Sequence, residues 1–310
     1  MNNVALNPKP KLLTAKKFNK YKGLIYISPW LIGFLAFQLY PFVASFVYSF
    51  TNYNVLGATR FVGFDNYADL FSVDPDFIQS IKVSALYAVI SVPSKLIFSL
   101  MVALLLNMKL KGINFFRTLY YLPSILGGSV AISALWKIMF MKEGTVNQIL
   151  NIFGIGPLNW LGDPRLSLLT ISLLQVWQFG SSMVLFLAAL KQIPIELYEA
   201  AKVDGASKIR TFFSITLPMI TPILFFNLIM QSINALQNFT SAFVVTNGGP
   251  LKSTYLIGLK LYIEAFTNFK MGYACAISWI LFLIILVLTF VLFKSSSKWV
   301  YYEDGGKSNG

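Results

Sequence analysis

Six long apolar runs, separated by shorter polar segments, form the main pattern of this chain. Each run has about the 20 residues that an α-helix needs to cross the hydrocarbon core of a bilayer. The predicted spans cover residues 24–50, 83–106, 119–140, 166–190, 217–238 and 271–293. The first run exceeds the roughly 7–15 apolar residues of a signal peptide, so we interpret it as a permanent span. The pattern therefore predicts an all-α membrane protein with about six transmembrane helices.

The composition agrees with a lipid environment. Of 310 residues, 56% are hydrophobic and 12% are charged, whereas soluble domains carry about 25% charged residues. The sequence has no histidine, which excludes histidine-based zinc sites and Ser-His-Asp triads within this chain. Its one cysteine, Cys275, cannot form an internal disulfide.

Lys and Arg residues are unequally distributed between the two sides of the predicted spans. The net charge is +13, and most of the cations lie in the two terminal tails and in the second and fourth connections. The cations on the opposite side are Arg60, Lys142, Arg165, Lys252, Lys260 and Lys270. Because cytoplasmic loops are enriched in Lys and Arg, this asymmetry predicts cytoplasmic termini rather than nucleic-acid binding. The expected organisation is an N-terminal tail (1–23), a six-span region (24–293) and a C-terminal tail (294–310).

The fifth connection, residues 239–270, is apolar but interrupted by the sequence Asn247-Gly248-Gly249-Pro250. Non-helical backbone is tolerated at membrane depth only where protein or water covers it. The sequence therefore predicts a partly embedded outer segment.

The fourth connection, residues 191–218, combines several helix and turn signals. Pro194 suits the first turn of a helix, and Glu196 and Glu199 follow where the helix dipole favours acids. Gly205 permits a sharp turn, and Pro218 is expected to end a second short helix and begin the next span. The pattern predicts two short cytoplasmic helices joined by a tight turn. It is equally typical of a solvated amphipathic linker and of a docking surface.

This segment resembles the EAA loop of permease subunits in binding-protein-dependent ATP-binding-cassette (ABC) importers. The resemblance implies that its short helix docks on an ATPase subunit, with Glu199 in a polar contact, two alanines in close packing and Gly205 at the turn. The coupling residues that it implies are Glu199, Ala200, Ala201, Asp204, Gly205, Leu217 and Pro218.

Further motifs are similar to sugar permeases of the maltose-transporter type. They are Pro29-Trp30, Tyr40-Pro41, Phe61-Val62-Gly63-Phe64-Asp65-Asn66-Tyr67, Tyr121-Leu122-Pro123 and Thr246-Asn247-Gly248-Gly249-Pro250 followed by Ser253-Thr254. This likeness implies a type I ABC importer permease fold in the bacterial cytoplasmic (inner) membrane. It also implies a subunit without a cofactor or enzymatic activity of its own.

The same resemblance implies a set of partners. They are a second homologous permease subunit, two ATPase subunits that bind ATP and Mg²⁺, an extracytoplasmic sugar-binding protein, and a sugar or oligosaccharide as substrate. A heterodimer of permeases is the family habit, and a homodimer stays open.

Amide side chains inside two predicted spans are candidates for the substrate pathway, because amides donate and accept hydrogen bonds as sugar hydroxyls require. The candidates are Gln175, Gln178, Gln231, Asn234 and Asn238. Together with Ser182, their spacings of three and seven residues predict one helical face per span. Aligned through the EAA loop, all but Asn234 fall at sugar-pathway positions of the maltose-type permease. The alternative is that they form hydrogen bonds between helices.

Lys95 lies near the middle of the second predicted span, two residues after Pro93. A lysine there is expected to face a cavity, a carbonyl or a partner subunit, so a structural and a transport role both stay open. An ion-coupled secondary sugar transporter is the rival function. The sequence weakens it, because the twelve acids all lie outside the predicted spans. A membrane enzyme would need paired acids, for which Asp74 and Asp76 are the nearest candidates.

Overall fold

A computed structural model describes residues 13–54, 57–108 and 112–301, without the side chains of residues 13–21, 24 and 25. Five lysines that the charge asymmetry predicts on the cytoplasmic side lie outside the described residues: Lys9, Lys11, Lys109, Lys111 and Lys307. Within them, regular structure consists of α-helices and four π-helical segments, plus one isolated bridge between Thr51 and Phe61. The α-helices are α1 (Leu13–Phe34), α2 (Tyr40–Tyr48), α3 (Asp65–Ser72), α4 (Pro75–Leu106), α5 (Ile113–Leu126), α6 (Val130–Met139), α7 (Thr145–Ile152), α8 (Pro164–Trp177), α9 (Gly180–Gln192), α10 (Ile195–Val203), α11 (Lys208–Thr211), α12 (Leu217–Leu236), α13 (Ile257–Tyr262) and α14 (Met271–Ser296). The π-helical segments are Leu35–Leu39, Phe212–Thr216, Ala242–Thr246 and Ile263–Thr267.

Four helical stretches of the described chain are long and apolar enough to cross a membrane. They are Tyr26–Tyr48, Pro75–Leu106, Lys208–Leu236 and Met271–Ser296. Two bent pairs bring the number to six if each pair is one span: α5 with α6 meet at 102°, and α8 with α9 at 46°. The fold is therefore that of a multi-pass membrane protein. The spans predicted at 119–140 and 166–190 correspond to these two bent pairs, and each contains a break that the apolar pattern does not reveal.

The break between α5 and α6 has a local cause. Gly127 keeps a right-handed helical conformation, and the chain leaves the helix at Ser129, which adopts an extended conformation at the start of α6. The Ser129 hydroxyl accepts a hydrogen bond of 3.2 Å from the amide of Ile132, as an N-cap does. The apolar run continues through this point, so hydrophobicity alone predicts a single helix.

The central helix is α4, which packs against α8, α9 and α12. It begins at Pro75, eight residues before the predicted span, because Asp74 caps it. The Asp74 carboxylate accepts hydrogen bonds from the amides of Asp76 and Phe77 at 3.0 and 3.1 Å. A capping acid followed by proline is a readable helix start. The core around α4 contains Tyr87, Ile171, Met183, Phe186 and Ile220, all fully buried.

The fifth connection folds back onto the protein. Asn247 and Gly248 adopt positive φ angles of 50° and 81° after the π-helical segment Ala242–Thr246. The hydroxyls of Thr246 and Thr254 lie 2.7 Å apart, and Thr254 donates to the carbonyl of Gly249 at 2.8 Å. Gly248 and Thr254 are buried, whereas Asn247, Leu251 and Lys252 are exposed, so protein covers only part of this non-helical backbone. Its depth in the membrane stays a prediction.

The sequence predicts Lys260 to be a cation of an outer loop. In the structure its side chain is buried, with 2% of its surface exposed. Its ammonium lies 2.6 Å from Asp74 and 3.3 Å from Glu264. Tyr273 donates a 2.7 Å hydrogen bond to the same Asp74 carboxylate. Burial raises the pKa of Asp74, but the hydrogen bonds from Lys260 and Tyr273 and the charge of Lys260 outweigh burial and lower it. This cluster ties the start of α4 to α13 and α14.

Candidate functional site

The fourth connection forms the two predicted helices, α10 and α11, joined by a tight turn. The amide of Ala206 donates to the carbonyl of Ala201 at 2.9 Å, and that of Gly205 to Lys202 at 3.1 Å. This pair of bonds defines a Schellman helix end. Gly205 has a φ of +69°, the left-handed conformation that such an end requires and that glycine adopts without strain. Ser207 then caps α11 by accepting from the amide of Arg210.

The prediction that the second helix ends before Pro218 is wrong. From Lys208 to Leu236 the chain forms one continuous helix, in which the amide of Leu217 bonds to the carbonyl of Phe212 across a π-helical turn. The π-helical turn shifts the pattern of backbone hydrogen bonds just before Pro218. The proline therefore lies in the first turn of α12, where a missing N–H is tolerated. Pro222 leaves the carbonyl of Pro218 without its helical donor, and the hydroxyl of Thr221 replaces it at 2.6 Å.

The surface of α10 and α11 combines exposed apolar residues with an unpaired acid. Val203 is 87% exposed and Ile209 73% exposed. Glu199 and Ala200 are exposed, and Ala201 is buried against the chain. Glu199 makes no hydrogen bond or ion pair with the described residues. Cavities of about 580 and 350 Å³ adjoin α10, the second lined by Ala200, Ala201 and Asp204. Such a surface can accept a partner.

Four of the five predicted pathway residues meet in one cavity of about 280 Å³. Its lining consists of Lys95, Ser124, Gly128, Gln175, Gln178, Ser181, Gln231 and Asn234. These residues come from α4, α5, α8, α9, α12 and the breaks between helices. Sequence reasoning missed Ser124, Gly128 and Ser181, although the Gly127-Gly128-Ser129 sequence inside an apolar run is a detectable break signal.

The two helix breaks hold each other in place beside this cavity. Gln178, which follows the last residue of α8, donates from Nε2 to the carbonyl of Gly127 at 2.7 Å. Ser124 donates to the carbonyl of Gln178 at 3.1 Å and accepts from the amide of Ser181 at 2.9 Å. Ser99 donates to the carbonyl of Phe179 at 3.1 Å. Two carbonyls and one amide at the α8–α9 bend, those of Gln178, Phe179 and Ser181, are thereby satisfied within the protein.

Asn238 lies apart from the cavity lining, because α12 ends at Leu236. Its amide nitrogen donates to the hydroxyl of Tyr87 at 2.8 Å, and its oxygen accepts from Ser241 at 2.6 Å. Ser182 is fully buried on α9, also outside the lining. The expected single faces are thus interrupted by the helix ends, and the role of Asn238 in transport stays a prediction.

Three of the cavity amides are unused by the fold. Gln175, Gln231 and Asn234 make no side-chain hydrogen bond with the described residues, and the buried Oε1 atom of Gln231 is without a partner there. Because buried polar groups are normally paired, the buried amides of Gln175 and Gln231 offer donors and acceptors for a polar solute, and the exposed amide of Asn234 lines the same cavity.

Comparison with known proteins places these features in a family context. Residues 81–297 match the family described as binding-protein-dependent transport system inner membrane component. The chain is 47% identical over 285 residues to the probable ABC transporter permease protein YesP of Bacillus subtilis, covering 91% of this chain and 92% of that protein. It is 33% identical over 289 residues to the lactose transport system permease protein LacF of Rhizobium radiobacter, covering 91% and 96%.

A solved structure shares the fold. It is a bacterial alginate ABC transporter in complex with an alginate pentasaccharide-bound periplasmic protein, and the match has a TM-score of 0.78 at 24% identity. It covers 91% of this chain and 96% of that one. At this identity the likeness establishes the fold alone.

Proposed function

The chain belongs to the family of binding-protein-dependent transport system inner membrane components, and from that premise we propose that it is a permease subunit of an ATP-driven sugar importer. The observation that carries the proposal is the pairing of two sites in one fold. An exposed docking surface at α10 and α11 stands at one end of the continuous helix Lys208–Leu236, and a cavity with unpaired amides stands near its other end. The sugar class rests on relatives such as LacF, whose name specifies lactose transport.

The proposed partners follow from the family. A second, homologous permease completes the pathway, and two ATPase subunits dock on the permease pair, one of them against α10. These subunits bind ATP and Mg²⁺, and an extracytoplasmic binding protein delivers the sugar. Exposed apolar side chains at Val203 and Ile209 support docking of a protein rather than solvation of a linker.

We assign the coupling loop and both termini to the cytoplasm and the protein to the bacterial inner membrane. The loop carries Lys202, Lys208 and Arg210, all exposed, as the enrichment of cations on the cytoplasmic side requires. Asp65 and Asp69 lie on the opposite side of the first span.

The coupling mechanism uses the continuity of one helix. ATP binding closes the ATPase pair and moves α10, which packs on the following segment through a 3.1 Å contact between the hydroxyls of Tyr198 and Thr216. At about 1.5 Å per residue, the helix from Lys208 reaches about 40 Å, as far as Gln231 and Asn234 in the cavity. Movement at α10 is therefore transmitted to the substrate-binding side chains, and the ATPase favours one of the two permease states.

The test is ATP-dependent sugar uptake by proteoliposomes that contain the complete transporter. Glu199→Lys is expected to leave membrane insertion intact, to release the ATPase subunits and to abolish uptake. Glu143→Lys is the matched control, since Glu143 is an exposed acid in the loop between α6 and α7. Wild-type uptake by the Glu199→Lys variant contradicts the coupling role. Uptake by the purified chain alone, without ATP, contradicts the importer assignment and favours an ion-coupled carrier.

A further inference from the structure

The described part of the chain contains two buried lysines with opposite electrostatic surroundings. Lys260 is 2% exposed and lies within ion-pair distance of Asp74 and Glu264. Lys95 is 4% exposed, and no carboxylate of the described residues lies within ion-pair distance of it. Among the residues that the structure describes, carboxylates therefore neutralise the ammonium group of Lys260, and none neutralises that of Lys95.

The fold also gives Lys95 no hydrogen-bond acceptor among the described residues. Its position in the middle of α4 places it far from either end of the helix. An unpaired cation at this depth is unfavourable for folding, so its presence indicates a function in binding or transport. The side chain faces the same cavity as the unpaired amides of Gln175, Gln231 and Asn234.

The chemistry of the cavity lining is specific. It contains one cation, four amides, two serines and one glycine, and no acid. The amides and serines can bond to hydroxyl groups, and the ammonium group can form a charge-assisted hydrogen bond with an anion. One lysine balances one carboxylate, whereas a phosphate group carries up to two negative charges. The lining therefore suits a polyol that bears a single carboxylate.

We propose that the Nζ atom of Lys95 binds the carboxylate of an acidic sugar, and that the substrates of this transporter are oligosaccharides that contain uronic acids. The proposal rests on the proposed function, because the cavity must lie on the sugar pathway. Lys95 acts in it as a specificity-determining residue: the substrate carboxylate supplies the counter-charge that the fold withholds, and the amides bind the hydroxyl groups beside it.

The test measures equilibrium binding to the purified complex of permeases and ATPase subunits, without the binding protein. The probes are digalacturonate and dimannuronate, each paired with its neutral carboxyl-reduced counterpart. The variants are Lys95→Met and Lys95→Arg, and Lys82→Met is the control on the same helix, since Lys82 is exposed. ATP-dependent uptake is recorded in parallel.

We expect the wild-type complex to bind at least one uronate about tenfold more tightly than its neutral counterpart. Lys95→Met removes that preference because it weakens uronate binding more than neutral-sugar binding, while Lys95→Arg and Lys82→Met keep it. Equal binding of the uronate and neutral sugars by the wild type, or binding of neither, overturns the proposal. This comparison does not depend on whether Lys95→Met assembles.

If neutral sugars are taken up with ATP but no uronate is preferred, the role assigned to Lys95 is contradicted and the proposed function stands. Absence of any ATP-dependent sugar uptake overturns the proposed function as well.

Discussion

The side-chain nitrogen of Gln178 donates a 2.7 Å hydrogen bond to the carbonyl oxygen of Gly127, and this bond joins the breaks of two bent helix pairs. The Gln178 side chain also occupies the space that a Cβ atom at residue 127 would need. The shape of the adjoining cavity therefore depends on the close approach of these two residues.

Substitution of Gly127 by alanine is expected to destabilise the protein by about 1–3 kcal/mol, because the added methyl group displaces Gln178 and overpacks the site. Gly128→Ala is the matched control, since a Cβ atom there has no neighbour within 4 Å. Thermal unfolding of both variants in detergent measures the difference. Equal melting temperatures for the two variants contradict the packing assigned to Gly127.

Substitutions at Gly205 test the coupling role of the turn between α10 and α11. Any effect within the chain comes from backbone strain and not from a steric clash. Space at the Cβ position of Gly205 is open, but its φ of +69° disfavours branched side chains. We expect Gly205→Asn to keep most ATP-dependent uptake, because asparagine tolerates this conformation. Gly205→Val is expected to insert into the membrane and to lose uptake at least tenfold, as the angle between α10 and α11 changes. Wild-type uptake by the valine variant argues against a coupling role for this turn.

The buried ion pair of Lys260 predicts an ordered set of stabilities. Lys260→Met leaves the carboxylates of Asp74 and Glu264 facing one another and is expected to destabilise by about 3–5 kcal/mol. Asp74→Asn is expected to destabilise less, because Glu264 still pairs with the ammonium group. Chemical or thermal unfolding of the two variants checks the order, and a more stable Lys260→Met variant contradicts it.

The same cluster predicts a pH dependence. The pKa of Asp74 is lower in the folded protein than in the unfolded chain, so its contribution to stability is present above the unfolded pKa of about 3.9. That contribution is lost as the pH falls through the lower, folded pKa. The stability difference between the wild type and Asp74→Asn should therefore shrink below about pH 4. If the stability difference between the wild type and Asp74→Asn is constant from pH 7 to pH 3, the ionised carboxylate of Asp74 does not cause that difference.

Two asparagines near the same end of α12 are expected to behave differently. Asn234→Ala removes an unpaired amide from the cavity, so it should raise the KM for sugar uptake with little change in melting temperature. Asn238→Ala removes the hydrogen-bond partner of both Tyr87 and Ser241 and should lower stability by about 1–3 kcal/mol. If Asn238→Ala changes the KM without lowering stability, the result supports instead the prediction that Asn238 lies on the substrate pathway.

Hydrophobic runs predicted the class of fold, because lipid requires long apolar helices whose backbone groups are satisfied internally. The helix and turn signals around Pro194 and Gly205 likewise predicted α10, α11 and the turn between them. These features depend on neighbouring residues, so the linear sequence contains the information. The Asp74-Pro75 pair also signals the start of α4, although it lies outside the apolar run.

The tertiary structure decided which polar residues share a site. Gln175 and Gln231 lie 56 positions apart in the sequence and meet only because α4, α8 and α12 pack together. Asn238 matches the spacing of Asn234 but lies past the end of α12, so a periodic pattern could not separate their surroundings. The two buried lysines differ for the same reason. Lys260 lies beside Asp74 only in the folded chain, whereas no acid of the described residues lies within ion-pair distance of Lys95. Spacing along the sequence determines where residues lie on one helix. The charges that surround a side chain depend on which other elements pack against that helix.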